Sequence, residues 1–341
     1  MKRNTALLTL TSAAAAALLL AGCTSAGGSA GGDPTAGGDA ASDLTIAGIA
    51  NNASDPFYQT LMCGATTAAK ELGVTIEWTA PNMQSVPEQQ TNLDAALLTD
   101  PDGVIITPAD PAAFSTQVED LMADGVPVVA ANVGVDPDTA LATVVSSSDN
   151  TEFIDFIVDD IGETGTLGIL GGVAAAGEAL QVRWRPLVDQ LAEQAPGITV
   201  LETEYSDFDR NKATTIAAAM ITKNPDLKAI YAISGPEGEG VAAAVEEAGK
   251  TGEIKVYAYD STPGEVEALR AGTITALLAQ PAGLLGSESL EKLVTYLEGN
   301  PDREPVTEQE EATVLDLKVL TADNIDEEDT APYLYAVGCD A

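Results

Sequence analysis

LTIAGIANNASDPFYQTLMCGATTAAKELGVTIEW, residues Leu44–Trp78, carries the reading on which the fold rests. It begins with a short apolar run, Leu44–Ile49, and ends with another, Val74–Trp78. Between them Phe57, Leu61, Ala65, Ala68 and Leu72 recur at helical spacing and give one apolar face. Asp55 can cap this helix, Pro56 suits its first turn, and Gly73 can end it in a left-handed conformation. Strand, helix and strand joined by short turns make a βαβ unit, whose apolar strands need a parallel sheet covered on both faces.

The alternation continues outward from this unit. Gly103–Thr107 and Pro127–Ala131 are further apolar runs, with helical patterns at Glu88–Leu98 and Ala112–Ala123. Leu141–Val145 is extended and leads through Ser146–Asn150 into a second series. There, strands are expected at Thr166–Leu170, Ile198–Glu204, Ala229–Ile233, Ile254–Tyr259 and Thr273–Ala279. Helices are expected at Glu178–Gln194, Asp209–Lys223, Glu237–Ala248, Pro263–Ala271 and Gly283–Leu297, and Thr313–Leu320 reads as one last strand. Two such series predict an α/β protein of two Rossmann-like, doubly wound lobes. Ligands of these sheets bind beyond the carboxyl ends of the strands, so facing lobes put a site in the cleft between them.

The N-terminus predicts the compartment. Lys2 and Arg3 precede an apolar stretch too short to span a membrane, so residues 1–22 read as a secretory signal. Leu20-Ala21-Gly22-Cys23 resembles the lipobox of bacterial lipoproteins, which implies that Cys23 is lipidated and becomes the mature N-terminus. Residues 23–42, rich in Gly, Ala and Ser, then form a tether that lifts the folded part off the cell membrane, outside the cytoplasm.

Composition narrows the chemistry. The 341 residues hold 53 acidic and 15 basic side chains, a net charge of −38, which repels nucleic acid and anionic lipid headgroups. There is no histidine, so the usual general base and the commonest metal ligand are missing; no catalytic residue, metal or cofactor is expected. Glu237 and Glu239 superficially suit a hydrolase, but they lie two apart in a Gly-rich turn with no nucleophile around them. With Cys23 committed to lipid, Cys63 and Cys339 remain. In an oxidising compartment they most simply pair, for a gain of roughly 2–4 kcal/mol; the alternative is a buried Cys63 and a free thiol in a frayed tail. In that tail, residues 321–341, Asp326–Asp329 reads as solvated, and Tyr333-Leu334-Tyr335 can dock back if the bridge forms.

From Leu44 to Leu320 the chain resembles the type I periplasmic binding proteins of sugar ABC importers, on the ribose-binding branch. The resemblance rests on Asp55-Pro56-Phe57-Tyr58, Ser148-Asp149-Asn150, Asp207–Lys212, Tyr257–Pro263 and Ala279-Gln280-Pro281, in that order. It implies three hinge crossings, near Ser148-Asp149, Gln280-Pro281 and Asp316-Leu317. The first lobe would then comprise 43–148 and 281–316, and the second 149–280 and 317–320. It also implies a sugar ring held between aromatic faces, with polar groups on its hydroxyls. Phe57, Tyr58 and Phe208 would supply the faces, although Phe57 equally suits the first core position of its helix. Asp55, Thr107, Asn132, Arg183, Ser234, Asp260 and Gln280 would supply the polar contacts, although Asp260 also suits a helix cap. The family pattern is half kept. Asn132-Val133 stands where Asp-Arg is common, Ser234-Gly235 where Asn-Asp is common, and Thr107 and Asp55 replace usual Asn or Asp and Asn. The function implied is that of a monomeric binding lipoprotein that hands a sugar-like ligand to an importer permease; a sensory lipoprotein facing a membrane receptor is the alternative.

Overall fold

The computed structural model describes residues 44–174 and 178–339; the signal segment, Cys23 and the tether lie outside the described residues. The opening unit forms as its sequence requires. β1 (Thr45–Ile49) and β2 (Thr75–Thr79) pair in parallel, joined by α1 (Pro56–Leu72). The Asp55 carboxylate accepts from the Phe57 amide at 2.9 Å, and Gly73 closes the helix with φ 70°. β3 (Gly103–Ile106) and β4 (Val128–Ala131) are fully apolar and buried along their length, as strands covered on both faces must be. β2 instead alternates exposed Thr75, Glu77 and Thr79 with half-buried Ile76 and Trp78, because it is an edge. Trp78 lies against Gly48 of β1, where any Cβ would collide with the indole.

The first sheet runs β2, β1, β3, β4, β5 (Ala142–Ser146), β11 (Thr313–Leu315), all parallel. α1, α2 (Val86–Leu97), α3 (Pro111–Ala123) and α10 (Ala282–Gly299) contribute buried residues to one aliphatic core with it. α1 and α10 touch backbone to backbone: a Cβ on Gly64 would meet the Gly283 carbonyl, and one on Gly286 the Leu61 carbonyl.

The second sheet runs β7 (Gly197–Val200), β6 (Thr164–Leu170), β8 (Leu227–Ala232), β9 (Lys255–Tyr259), β10 (Ala276–Ala279), β12 (Lys318–Thr321); only β12 is antiparallel. α4 (Thr151–Ile161) and α6 (Arg185–Gln194) pack into one core with it, and α7 (Arg210–Lys223), α8 (Gly235–Glu247) and α9 (Pro263–Arg270) into another. The two doubly wound lobes are therefore present. The backbone passes between their sheets at 147–150, 280–281 and 316–317.

Several elements differ from the sequence expectation. Thr313–Leu320 is two strands, β11 in the first sheet and β12 in the second, because the chain changes lobes at Asp316-Leu317. Glu178–Gln194 splits into α5 (Glu178–Gln181) and α6, since Pro186 lacks an amide proton and favours the opening turn of a new helix. The strand expected at Ile198–Glu204 ends at Val200, leaving Glu204 in an isolated bridge to Leu170. α4 was not expected at all.

The tail folds back. Cys63 and Cys339 are bonded, with their Cα atoms 4.9 Å apart, so the free-thiol alternative does not hold. A 3-10 helix, Glu328–Tyr333, precedes the bridge. Asp326 and Asp329 are exposed, yet each pairs with a cation, Arg270 at 2.7 Å and Lys318 at 2.6 Å.

Candidate ligand-binding site

Of the residues singled out from sequence, Thr107, Asn132, Ser234, Asp260 and Gln280 stand within two residues of a strand carboxyl end, and the others on the loops and helix starts that follow one. On the first lobe, Asp55 caps α1 and Tyr58 follows within its first turn. The Tyr58 hydroxyl accepts from Asn51 Nδ2 at 3.1 Å and lies near the Asn132 side chain. Asn132 itself sits at φ 66°, a left-handed conformation that Asn tolerates better than most residues. Phe57 turns inward: it is 6 % exposed, belongs to the first-lobe core, and meets Tyr58 edge-on at 5.1 Å. Of its two readings, the core position is the one the structure gives. Thr107 stands behind the cleft wall, 1 % exposed, with its hydroxyl oxygen accepting from the Asn51 amide at 2.8 Å.

Two residues that sequence reasoning passed over build this wall. Asn51, directly after β1, is buried, and its Oδ1 has no hydrogen-bond partner among the described residues. Gln89, from α2, donates to the Thr107 carbonyl and accepts from the Ala109 amide, both at 2.8 Å. It fixes the loop after β3 to α2.

On the second lobe, the Arg183 guanidinium lies 4.0 Å from the centre of the Tyr259 ring and donates to the Ile233 carbonyl at 2.8 Å. The Tyr231 hydroxyl donates to the Arg183 carbonyl at 2.7 Å. Asp260 follows β9 at φ 86°. Its Oδ1 accepts from Gln280 at 3.0 Å and from the Tyr335 hydroxyl at 3.2 Å, and its Oδ2 accepts from the Gly235 amide at 3.2 Å. Thr262, not Asp260, caps α9, through a capping box with Glu265. Phe208 stays 39 % exposed, and its ring rests on Gly172, whose φ of 78° and missing side chain leave it room.

Ser234 is drawn inward by Glu237. That carboxylate is fully buried and accepts from the Ser234 hydroxyl at 3.1 Å, the Ser206 hydroxyl at 2.5 Å and the Gly172 amide at 3.1 Å. Three loops at the cleft end of the lobe are thus tied to one side chain. Glu239, its apparent partner in sequence, instead pairs with Arg210 at 3.1 Å and accepts from Thr262 at 2.7 Å.

The two lobes interact electrostatically across the cleft. Burial first, and then the Asp260 carboxylate, push the Asp55 carboxyl from 3.8 to about 6, against the Phe57 amide and the Arg183 charge, which pull it down. Glu237 and Glu265 are also raised, mainly by burial. A carboxyl raised in the folded state binds a proton that the unfolded chain has already released, so its contribution to stability falls as pH rises through that window. For Asp55 the window is about pH 4–6, and the change is on the order of 2–3 kcal/mol. The melting temperature of the ligand-free protein is therefore expected to rise on going from pH 7.5 to pH 5, with a shallower slope in Asp55→Asn. A melting temperature that falls over this range contradicts the burial of these groups.

Other parts of the surface offer less. A cavity of about 390 Å³ lies at the amino ends of the first-lobe strands, but its Arg303 is already paired with Asp102. Among the described residues, no three metal-ligating side chains converge, and no helix is long and apolar enough to cross a membrane.

Known proteins of like sequence and shape share the two-lobe fold. The profile of the periplasmic binding protein domain family matches residues 46–301. A D-allose-binding periplasmic protein of Escherichia coli is 28 % identical over 254 residues, covering 71 % of this chain and 80 % of its own. A ribose import binding protein of Bacillus subtilis is 27 % identical over 262 residues, 75 % of this chain and 83 % of its own. A solved ABC transporter solute-binding protein from Agrobacterium vitis, bound with α-D-tagatopyranose, superposes with a TM-score of 0.72. It is 25 % identical and covers 86 % of this chain and all of its own.

Proposed function

The chain belongs to the periplasmic binding protein family, and on that premise we propose that it is a lipid-anchored extracytoplasmic solute-binding protein that captures a sugar or sugar-like polyol in the interlobe cleft and delivers it to an ABC importer. The observation that carries this reading is the set of polar groups facing one another: Asp55 and Tyr58 on one lobe, Arg183 and Asp260 on the other, with Phe208 half exposed on the second. Carboxylates and a guanidinium suit hydroxyl groups, since charged hydrogen bonds contribute about 1.5–3 kcal/mol each. Tyr58 and Phe208 offer apolar faces to the C–H edges of a ring. The named relatives, an allose binder and a ribose binder, support the ligand class; the Leu20–Cys23 motif supports the anchor. Function then consists of closure around the ligand, with no covalent step.

Thermal shift and calorimetry against D-allose, D-ribose, D-tagatose and myo-inositol test the reading. One-to-one binding with a raised melting temperature is expected; ligand at a hundred times its dissociation constant adds about 2.7 kcal/mol of stability. If no sugar or polyol at millimolar concentration shifts the melting temperature, the reading fails. Fractionation tests the anchor: Cys23→Ala is expected to move the protein out of the membrane fraction.

A further inference from the structure

We propose that the C-terminal segment is a fourth connection between the lobes, and that Tyr335, which it carries, is a positioning residue for Asp260. The proposal rests on the cleft being the ligand site. β12 belongs to the second-lobe sheet, and Tyr333 and Leu334 pack on a second-lobe core. One residue later the chain has changed lobes: Tyr335 is 5 % exposed within the first-lobe core, edge-on to Phe57 with ring centres 5.6 Å apart. Both sides of this step are pinned. The Tyr335 amide donates to the Ser261 carbonyl at 3.2 Å, and the Ser261 hydroxyl donates to the Tyr333 carbonyl, which hold the segment to the second lobe. The Ala336 amide donates to Thr60 Oγ1 on α1 at 2.8 Å, and Cys339 is bonded to Cys63 on the same helix, which lock it to the first. The backbone crosses at three places, and this strap closes a fourth with a covalent bond.

The strap has a direct effect on the cleft. A carboxylate oxygen accepts about two hydrogen bonds. Oδ1 of Asp260 already has two, from Gln280 and from the Tyr335 hydroxyl, while Oδ2 has one, from the Gly235 amide. Tyr335 and Gln280 together occupy one oxygen and leave the other with a single acceptor position. Asp260 is thereby set to receive one ligand hydroxyl in one direction, and a residue 75 positions away in sequence selects which oxygen does so.

Two measurements on the purified protein decide the matter. Small-angle scattering of the ligand-free protein is expected to give a larger radius of gyration for Cys339→Ser than for wild type, because the strap no longer limits opening; Tyr335→Phe, which keeps the ring and the bridge, is expected to stay near wild type. Titration with D-allose and D-ribose is expected to show roughly tenfold weaker binding to Tyr335→Phe, the loss of one hydrogen bond to a charged group. A residue that merely filled space would be replaced by Phe without loss, so wild-type affinity in that variant overturns the positioning role. An unchanged radius of gyration in Cys339→Ser overturns the fourth connection. If neither sugar binds the wild-type protein, the same titration with whichever sugar or polyol does raise its melting temperature decides the role of Tyr335. If none does, the proposed function fails together with that role, and the scattering series still decides for or against the strap.

Discussion

Asp260→Ala is expected to weaken ligand binding by at least about a hundredfold. The alanine loses the charged hydrogen bond that the proposed function gives Asp260 with the ligand, about 1.5–3 kcal/mol. It also strands three donors, the Gly235 amide, the Gln280 amide group and the Tyr335 hydroxyl, that the carboxylate now satisfies. Backbone conformation adds to the effect, since φ is 86° at this position and alanine tolerates that poorly. Asp260→Asn separates the terms. Asn accepts left-handed geometry but keeps only one acceptor oxygen. Its loss therefore combines the charge with the donors of one carboxylate oxygen, without the backbone strain, and is expected to lie between wild type and alanine. Calorimetric titration of both variants checks this, and wild-type affinity in the alanine variant removes Asp260 from the site.

Glu237→Ala is expected to be the most damaging single change to the second lobe, lowering stability by about 3–4 kcal/mol. The side chain is wholly buried, so its removal leaves a cavity as well as an unpartnered Gly172 amide and two serine hydroxyls. Those donors belong to the loops after β6, β7 and β8, which carry or adjoin Gly172, Phe208 and Ser234. Affinity is therefore expected to fall together with the melting temperature. Glu237→Gln keeps one acceptor oxygen and most of the volume, so it is expected to recover most of the stability. Equal melting temperatures for wild type and Glu237→Ala would show that the three loops are held by something else.

The parts of this molecule legible in sequence are those whose signal is local. The cap, proline and terminal glycine of α1 lie within the helix or one residue beyond it, and the runs of β3 and β4 announce burial by composition alone. α4 was legible too: Phe153, Ile154, Ile157 and Ile161 keep helical spacing and are all buried. Thr313–Leu320 could not be divided from its pattern, since a half-buried strand looks alike on either side of a crossing. The site divides in the same way. Asp260, Arg183 and Gln280 could be found because a family pattern marks them. Glu237, Gln89 and Tyr335 act through partners 18 to 75 residues away, and no spacing rule reports which strand ends become neighbours. Glu237 is the sharpest case: it looked like half of a reactive pair and is the tie that organises three loops.

The molecule has two tryptophans, and the fold gives one to each lobe. Trp78 sits on the edge strand against Gly48, one residue before the carboxyl end of β2. Trp184 is buried next to Arg183, with the Arg185 guanidinium 5.4 Å from its ring. The two chromophores are therefore inequivalent reporters. Emission from Trp78 follows the pairing of β1 and β2, and emission from Trp184 follows the charge and packing around Arg183. A variant carrying Trp78→Phe makes the intrinsic fluorescence of this protein a single-site optical readout of what happens in the cleft.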